Sequence, residues 1–319
     1  MNPSYLTASK TGRLDAVINA VYPLLSACSI CPRKCKVNRL KGETGFCKTG
    51  LQPEVYSFLA HHGEEPPISG TKGSGTIFFS HCNMACVYCQ NYEFSQEIKQ
   101  GGGVSNQELA KIMFNLQESG CHNINLVSPT HIMPQILKSL KIAINMGLNI
   151  PLVYNTSGYE LPEMIKMLDG IIDVYLPDMR YADTTLSQKF SNAPKYPFYN
   201  QASIKEMHRQ VGIAQINDKG IIKKGLIVRH LVLPANISGT EKIMKFLAQE
   251  VSANTYISLM SQYTPYYKAC DYPELNHRLN SNEYEAAQNS MDKYGLHNGW
   301  MQDSGGLERF AGVNIKPVK

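Results

Sequence analysis

Short apolar segments alternate with helical patterns along most of this chain, and this alternation limits the folds available to it. Six segments rich in apolar and β-branched residues are bounded by turn residues, as buried strands are; they cover 75–80, 123–128, 150–155, 171–176, 226–233 and 256–260. Helical spacing of apolar residues occurs near 105–119, 131–147, 161–168, 182–191, 201–213 and 240–252. Such alternation predicts a parallel sheet with right-handed crossovers. Since a closed barrel has eight units, we expect an α/β fold with a partial (β/α)6 barrel.

The remaining segments flank the predicted barrel, which we assign to residues 71–265. Residues 14–25 have apolar positions at helical spacing and precede a cysteine-rich stretch. We therefore assign residues 1–70 to a helix and a small metal-binding module. A helical pattern and a loop through Trp300 lead us to assign residues 266–319 to a segment that caps one side.

Composition and charge fit a folded protein, since 43% of the residues are hydrophobic and 18% are charged. The formal net charge of +5 is spread evenly along the chain, so it gives no reason to expect nucleic acid or a membrane as a partner. The first residues lack the pattern of a secretory signal, and no apolar run approaches about 18 residues. We therefore expect a cytoplasmic protein.

Seven of the nine cysteines fall into two compact sets. In a long chain without a secretory signal, such sets more often bind metals or act in catalysis than form disulfides. One set, Cys82, Cys86 and Cys89, has the spacing C-x3-C-x2-C and follows the first predicted strand. Loops at this end of barrel strands form active sites, and three thiolates leave one iron of a 4Fe-4S cluster open to a ligand. The alternatives are a zinc site completed by His81 or a distant residue, or three buried thiols without a metal.

The spacing of these cysteines, Tyr88 before the last of them, and the strand and helix alternation that follows resemble the radical S-adenosylmethionine (SAM) superfamily. The resemblance implies a 4Fe-4S cluster on Cys82, Cys86 and Cys89, with the methionine amine and carboxylate of SAM on the open iron. It also implies that one electron cleaves SAM into methionine and a 5′-deoxyadenosyl radical, which abstracts hydrogen. Tyr88 is a candidate cofactor contact.

Longer segments resemble a branch described as pyruvate formate-lyase activating enzyme homologues, whose members often carry an N-terminal cysteine set as well. The match includes GEEPPISGTKGSGTIFFSHCNMACVYCQN and the segment from Asn125 to Gln135. Many superfamily members bind the methionine amine with a Gly-Gly-Glu motif after the second strand. Here Ser128, Thr130 and His131 occupy that place and are candidate SAM contacts. The alternative is that Ser-Pro-Thr only caps the next helix.

Polar residues after the later strands resemble the cofactor wall of the activating enzymes. Asn155 and Ser157 follow the third strand, and Arg229 lies on the fifth. After the fourth strand, Asp178 and Arg180 match an Asp-x-Lys segment in which Arg replaces Lys. A buried carboxylate is costly unless it is paired or faces a cavity. The alternatives to a cofactor role are therefore a salt bridge from Asp178 to Arg180 and a buried ion pair with Arg229.

Two further places near the predicted site carry polar residues. The activating enzymes usually have a histidine after the sixth strand, and here Gln262 or Tyr263 takes that position, so Tyr263 is a candidate cofactor contact. The tyrosines around it are equally typical of packing beside a loop. His61, His62, Glu64 and Glu65 precede the first strand and either border the site or lie in a solvated loop.

The second cysteine set has the spacing C-x2-C-x3-C-x11-C and offers four ligands, Cys28, Cys31, Cys35 and Cys47. Four thiolates complete a structural zinc site or a fully ligated iron-sulfur cluster, and such short loops do not stay ordered without a metal. Spacing does not separate the two metals, and zinc is slightly preferred; unligated thiols are the remaining alternative. An iron-sulfur cluster here could relay an electron to the SAM site.

Three functions fit these features. In the first, a radical SAM enzyme activates a glycyl-radical enzyme by abstracting hydrogen from a glycine of that partner protein. In the second, the same chemistry modifies a small molecule or a peptide. In the third, a non-catalytic protein uses both cysteine sets to bind metal or carry electrons, although the three-cysteine site and the barrel pattern argue against this. For the enzyme we expect a flavodoxin- or ferredoxin-type electron donor.

Overall fold

Ten strands lie at the centre of the structure, a computed structural model that describes residues 2–97 and 102–302. Within these residues the strands are β1 (Glu54–His61), β2 (Ser74–Phe79), β3 (Gly102–Gly103), β4 (Ile124–Val127), β5 (Leu152–Thr156), β6 (Val174–Pro177), β7 (Gln215–Ile216), β8 (Ile222–Leu231), β9 (Tyr256–Met260) and β10 (Gly299–Met301). Their order is β10-β9-β8-β6-β5-β4-β2-β1-β3, with β7 paired to β8. The strands from β10 to β2 pair in parallel, and β1 pairs antiparallel with β2 and β3. In the described part of the chain the path ends at β10 and β3, so the barrel is partial.

Helices connect the parallel strands and cover the outer face of the sheet. In the described residues the α-helices are α1 (Ser4–Lys10), α2 (Arg13–Val21), α3 (Pro66–Ser69), α4 (Asn106–Glu118), α5 (Met133–Asn145), α6 (Pro162–Met167), α7 (Thr184–Ser191), α8 (Tyr196–Val211), α9 (Thr240–Phe246) and α10 (Ser281–Lys293). The start of α4 is fixed by a capping box, in which Glu108 N donates to Ser105 Oγ at 3.2 Å and Ser105 N donates to Glu108 Oε2 at 2.7 Å.

The two faces of the sheet bury different residues. On the outer face Ile77 and Leu126 belong to the large core formed with the helices. On the inner face Val153 and Val174 pack with Ile68 of α3. Successive residues of a strand point to opposite faces, which separates the two sets. Asn123, directly before β4, donates from Nδ2 to Ile68 O at 2.8 Å, so α3 closes the inside of the barrel at its amino-terminal end. The opposite end, where the strands finish, is left for the functional side chains.

All six predicted parallel strands and the partial α/β barrel are confirmed. Four of the described strands were not predicted, because β1 is only half-buried and exposed in part, β3 and β7 have two residues each, and β10 has three. The helix predicted at 201–213 starts earlier, at Tyr196, since Pro197 is acceptable in a first helical turn. In the predicted capping segment, α10 joins α9 through an ion pair between Lys293 and Glu241 at 2.5 Å. Residues 303–319 of that segment lie outside the described residues.

The N-terminal helices attach to the amino-terminal side of the barrel. Tyr5 of α1 donates its hydroxyl hydrogen to Ile150 O at 2.9 Å, and Ser4 N donates to Asp173 Oδ1 at 2.7 Å. The N-terminal segment therefore shares the core of the barrel. Across the described ranges, no helix has the length and apolar character needed to cross a membrane.

Candidate active site

The loop that carries Cys82, Cys86 and Cys89 begins directly after β2, at the carboxyl end of the parallel sheet. All six residues of β2 are buried, which fixes where the loop starts. Backbone hydrogen bonds then attach the loop to the end of α7: Ala85 N donates to Ser191 O at 3.0 Å, and Val87 N donates to Phe190 O at 2.9 Å. The three thiols are therefore held at the strand-end face by the fold itself.

Each of the three sulfurs has a hydrogen-bond donor nearby. Cys86 Sγ accepts from Ser191 Oγ at 3.0 Å and from Arg180 Nη1 at 3.6 Å. Cys82 Sγ accepts from the backbone N of Met84 at 3.4 Å. Cys89 Sγ and Ser95 Oγ lie 3.2 Å apart. Donors of this kind stabilise thiolates that ligate a metal.

Burial keeps the uncoordinated thiols of Cys82 and Cys89 protonated. It raises the pKa of Cys82 to about 12 and that of Cys89 to about 11, and the neighbouring Cys86 raises both further. A metal deprotonates such thiols outright when it binds. Within 2–97 and 102–302, no three His, Cys, Asp or Glu side chains already surround a single-ion position. The ligands of a four-iron cluster bind separate iron atoms and so lie farther apart, and a set of three soft thiolates fits such a cluster.

Tyr88 and Tyr263, both predicted to contact the cofactor, lie behind the cysteine loop. Their rings are 6.0 Å apart and almost fully buried. Tyr88 Oη donates to Tyr181 Oη at 2.7 Å, and Tyr181 Oη lies 2.6 Å from Ser191 Oγ. This chain of hydroxyl groups ends on the sulfur of Cys86. In this structure the tyrosines pack behind the cysteine loop and support it. Tyr263 Oη donates to Leu275 O at 2.7 Å.

A buried ion-pair network connects the loop to the strand ends. Arg229 Nε donates to Asp178 Oδ1 at 2.8 Å, and Arg180 Nη2 donates to Asp178 Oδ2 at 2.5 Å. Arg229 Nη2 also donates to Asn155 Oδ1 at 2.6 Å. Burial alone would raise the pKa of Asp178, but the two guanidinium groups outweigh it and lower the pKa below its ordinary value. Both salt bridges considered for Asp178 are present, so Asp178, Arg180 and Arg229 contact one another through the same carboxylate.

Glu64 and Glu65 extend this network into the interior of the barrel. Glu64 Oε2 lies 3.5 Å from Arg229 Nη1, and Glu64 Oε1 accepts from Asn155 Nδ2 at 3.3 Å. Burial raises the pKa of both carboxyls, that of Glu65 to about 7. In the described part of the chain Glu65 Oε2 has no hydrogen-bond partner. The two residues therefore border the site on the side of the barrel interior. The alternative left by the sequence was that they lie in a solvated loop.

The residues after β4 separate into different environments. Ser128 has a positive φ of 58° and its backbone N donates to Asn155 O at 2.9 Å, so it lies at the strand ends. Thr130 Oγ1 instead donates to Glu160 Oε1 at 2.5 Å, inside the protein. His131 Nε2 lies 2.9 Å from Ser80 O, and burial lowers the pKa of His131 to about 3, which keeps its ring neutral. The structure thus brings Ser128 to the site and places Thr130 and His131 beside it.

Two residues of α8 that the sequence did not single out hold the ends of β5 and β6 together. Tyr196 Oη lies 2.8 Å from Ser157 O and 3.0 Å from Asp178 O. Asn200 Nδ2 donates to Asp178 O at 2.9 Å and to Gly158 O at 3.1 Å. Their spacing of four residues on one helix face was the available signal. They fix the backbone of two predicted site residues, Ser157 and Asp178.

Replacing Gly158 with alanine should disrupt this arrangement. Gly158 has a φ of +75°, and a Cβ there would lie 2.1 Å from Asn200 Nδ2 and 2.4 Å from Asp178 O. Gly220 has a φ of +74° but no described atom within 4 Å of its Cβ position, so Gly220→Ala introduces the backbone strain alone. We expect Gly158→Ala to lose about 2 kcal/mol more unfolding free energy than Gly220→Ala. Urea unfolding followed by circular dichroism measures the difference, and equal losses would contradict this reading.

The four N-terminal cysteines line a single cavity beside the site, together with Ile30, Arg33, Val37, Arg39, Gly45 and His131. Gly45 makes room for the thiols, since a Cβ there would lie 2.8 Å from Cys35 Sγ. Three lysines next to the ligands, Lys34, Lys36 and Lys48, have positive φ values of 42°, 62° and 57°. Such backbone costs about 1 kcal/mol or more per residue and occurs where another interaction holds it.

A parallel partial barrel with three thiols on the loop after its first parallel strand defines an α/β protein built to hold a reactive metal centre. The sequence model described as "Radical SAM superfamily" matches residues 76–247, more than half of the chain. The chain therefore belongs to the radical SAM superfamily, and membership implies a 4Fe-4S cluster and SAM.

Comparisons with individual proteins add relatives of this chain. An uncharacterized protein of Methanocaldococcus jannaschii is 33% identical over 299 residues, which is 90% of this chain and 80% of the relative. Among solved structures, HydG, a maturase of the FeFe-hydrogenase, aligns with a TM-score of 0.46 and 14% identity over 69% of this chain and 48% of HydG. A domain of a pyruvate-formate lyase-activating enzyme from Bacteroides vulgatus aligns with a TM-score of 0.34 and 14% identity, over 63% of this chain and 96% of the domain.

Proposed function

We propose that this protein cleaves SAM reductively and abstracts hydrogen from a substrate. The observation that carries the proposal is the position of Cys82, Cys86 and Cys89 on the loop that follows β2. A 4Fe-4S cluster on three thiols has one iron free for SAM, and when bound it would supply the electron that converts SAM into methionine and a 5′-deoxyadenosyl radical. Membership of the radical SAM superfamily supports this chemistry.

The chain's own side chains would bind and orient SAM. SAM has a carboxylate, an ammonium group and a sulfonium, and the strand ends offer charges of both signs in Arg229 and Asp178. Arg180 contacts both Asp178 Oδ2 and Cys86 Sγ, so it ties the cysteine loop to the end of β6. Because buried Asp178 already holds both guanidinium groups in place, the wall needs little rearrangement to receive a ligand.

For the substrate, the first candidate is a glycine of a glycyl-radical enzyme. The long segments shared with the activating enzyme branch, including the loop with Cys82, support this choice. A flavodoxin- or ferredoxin-type protein would deliver the electron. Neither nucleic acid nor a membrane is part of the proposal, because a formal net charge of +5 is small for a chain of 319 residues.

The second candidate is a small molecule or peptide with a cationic group, and the barrel interior favours it. Glu65 Oε2 and Asn125 Oδ1 are both buried acceptors without a donor among the described residues. Buried acceptors are normally satisfied, because leaving them unpaired costs free energy. An ammonium group that reached either acceptor would supply the missing donor and would offset the charge of the Glu64 and Glu65 carboxylates.

Anaerobically reconstituted protein should form 5′-deoxyadenosine from SAM when dithionite is present, as measured by liquid chromatography with mass detection. Samples without dithionite should give only background product. Protein with a complete cluster that forms no 5′-deoxyadenosine would refute the central proposal. Electron paramagnetic resonance then distinguishes the two candidate substrates. A glycyl doublet after addition of a glycyl-radical protein supports the first candidate, whereas faster turnover with an amine and no doublet supports the second.

A further inference from the structure

We propose that the four-cysteine cavity holds a second 4Fe-4S cluster, which passes electrons to the cluster on Cys82, Cys86 and Cys89. The proposal rests on the proposed function, since a relay needs an acceptor at the SAM site. It concerns the cavity lined by Cys28, Cys31, Cys35 and Cys47.

The cavity is built as a thiolate site. All four cysteines face it, and none of them forms a disulfide. The backbone N of Phe46 donates to Cys35 Sγ at 3.4 Å, and Arg39 Nη1 lies 4.0 Å from Cys28 Sγ. Arg39 is itself almost fully buried and is held by Gly50 O at 3.0 Å. A buried cation and N–H groups directed at sulfur stabilise an anionic tetrathiolate centre.

Two side chains that line this cavity also bind the backbone of the SAM-site loop. Arg33 Nε donates to Asn83 O at 2.9 Å, and His131 Nε2 lies 2.9 Å from Ser80 O. Ser80 and Asn83 stand on either side of Cys82 in the sequence. The lining of the four-cysteine cavity is therefore in direct contact with the SAM-site loop, through a hydrogen bond on each side of a predicted cluster ligand.

This position favours iron over zinc, the two metals between which spacing does not choose. Zinc has no redox chemistry, so a zinc ion next to the Cys82 loop could not transfer electrons to the SAM-site cluster. A fully ligated 4Fe-4S cluster changes its charge by one electron without binding a substrate. In the proposed step, the reduced N-terminal cluster loses one electron and the oxidised SAM-site cluster gains it. Cleavage of SAM consumes that electron, and an external electron-carrier protein replaces it.

The surface around the cavity fits an acidic electron carrier. Lys36, Lys41 and Lys48 are exposed and lie in the same short stretch as the ligands, where Glu43 is the one acidic residue between positions 28 and 50. Opposite charge on a partner accelerates association at low ionic strength. We therefore expect electron delivery from an acidic flavodoxin to slow as salt is raised, through a weaker encounter at this face.

The test begins with the wild-type protein, reconstituted anaerobically and analysed for iron, sulfide and zinc. We expect about eight irons per chain, four for each cluster, and no stoichiometric zinc. After reduction by dithionite, electron paramagnetic resonance should show two cluster signals broadened by their mutual coupling, and SAM should change only one of them. Four irons with one zinc per chain would overturn the proposal, as would two clusters without magnetic coupling.

Variants then assign the signals. Cys31→Ser with Cys47→Ser should remove the signal that does not respond to SAM, and Gly45→Ala, which keeps every ligand, should weaken that same signal through the clash with Cys35. For each protein, the rate of 5′-deoxyadenosine formation with reduced flavodoxin is divided by the rate with dithionite. We expect this ratio to fall at least tenfold in the double variant, and an unchanged ratio would overturn the relay. If wild-type protein with coupled clusters forms no 5′-deoxyadenosine with dithionite, the proposed function is refuted. The relay is then refuted too, because it rests on that function.

Discussion

Replacing Cys86 with alanine should reduce 5′-deoxyadenosine formation more than about 100-fold, because losing a group that merely supports a metal ligand already costs about 10- to 100-fold. Cys86 is the most deeply buried of the three loop thiols and receives both Ser191 Oγ and Arg180 Nη1. With its sulfur gone, two thiols are left for the cluster, and the donors around it point at no ligand. The measurement is product formation with dithionite and SAM, together with iron and sulfide per chain.

Cys270→Ala is the matched control for this experiment. Cys270 is exposed and belongs to neither cysteine set. The control variant should retain wild-type iron content and turnover, which separates the loss of a ligand from general damage to a cysteine-rich protein. Turnover by Cys86→Ala at the wild-type rate would mean that the strand-end thiols are not the reactive centre, whatever the iron content.

The parallel sheet could be predicted because its signals are local. Each buried strand is a short apolar run between turn residues, and nothing distant is needed to recognise one. The cysteine loop is local in the same sense, since three ligands lie within eight residues of sequence. β10 shows the limit of this approach, because a three-residue strand at Gly299–Met301 has too little pattern to detect and depends on pairing with β9.

The sequence could limit the contacts between strand ends to a few candidate pairs but could not choose among them, because the contacts depend on strand order and register. Asp178 and Arg229 are 51 residues apart and meet through a bridge between the ends of β6 and β8. Sequence offered Arg180 and Arg229 as competing partners for Asp178, whereas the structure shows that the carboxylate binds both. Its two oxygens each accept from a different guanidinium.

Glu64 and Glu65 are harder to place from sequence, because they stand in a segment rich in Gly and Pro that looks solvated. Their burial follows from the next residues: Ile68 packs inside the barrel, and Asn123 Nδ2 donates to Ile68 O at 2.8 Å. The four-residue helix α3 thus closes the inside of the barrel, and the two carboxylates that precede it are buried there. Their burial depends on this tertiary packing, so the local sequence does not predict it.

Arg229→Leu should be the most destabilising substitution in the ion-pair network. Arg229 contacts Asp178 and Glu64, and its charge also acts on Glu65, so its removal leaves buried carboxylates with only Arg180 to balance them. Breaking a buried pair by deleting one partner costs about 3–5 kcal/mol. We expect a loss of this size in the free energy of unfolding at pH 8, measured in urea by circular dichroism on samples of equal iron content.

The control is Lys205→Leu, which removes an ion pair at the surface. Lys205 lies 3.2 Å from Glu250, and the two side chains are 48% and 58% exposed. Water and salt screen such pairs, so the loss should be small. Comparable losses in the two variants would show that burial of the network contributes little to stability.

The pH dependence provides a second, independent readout of the same substitution. In the wild-type protein the pKa of Glu65 is raised from 4.5 to about 7, so between these values the folded state binds more protons than the unfolded state. Stability from this group is therefore greatest below pH 4.5 and falls as pH rises through 7, by about 3 kcal/mol in total. Arg229 opposes the shift, so Arg229→Leu should raise the pKa of Glu65 further and extend the fall to higher pH. The variant's deficit should then be clearly smaller at pH 5.5 than at pH 8, because protonated carboxyls no longer need the arginine. A deficit that is the same at both values would mean that Arg229 does not act on Glu65 and stabilises the protein through Asp178 or through packing.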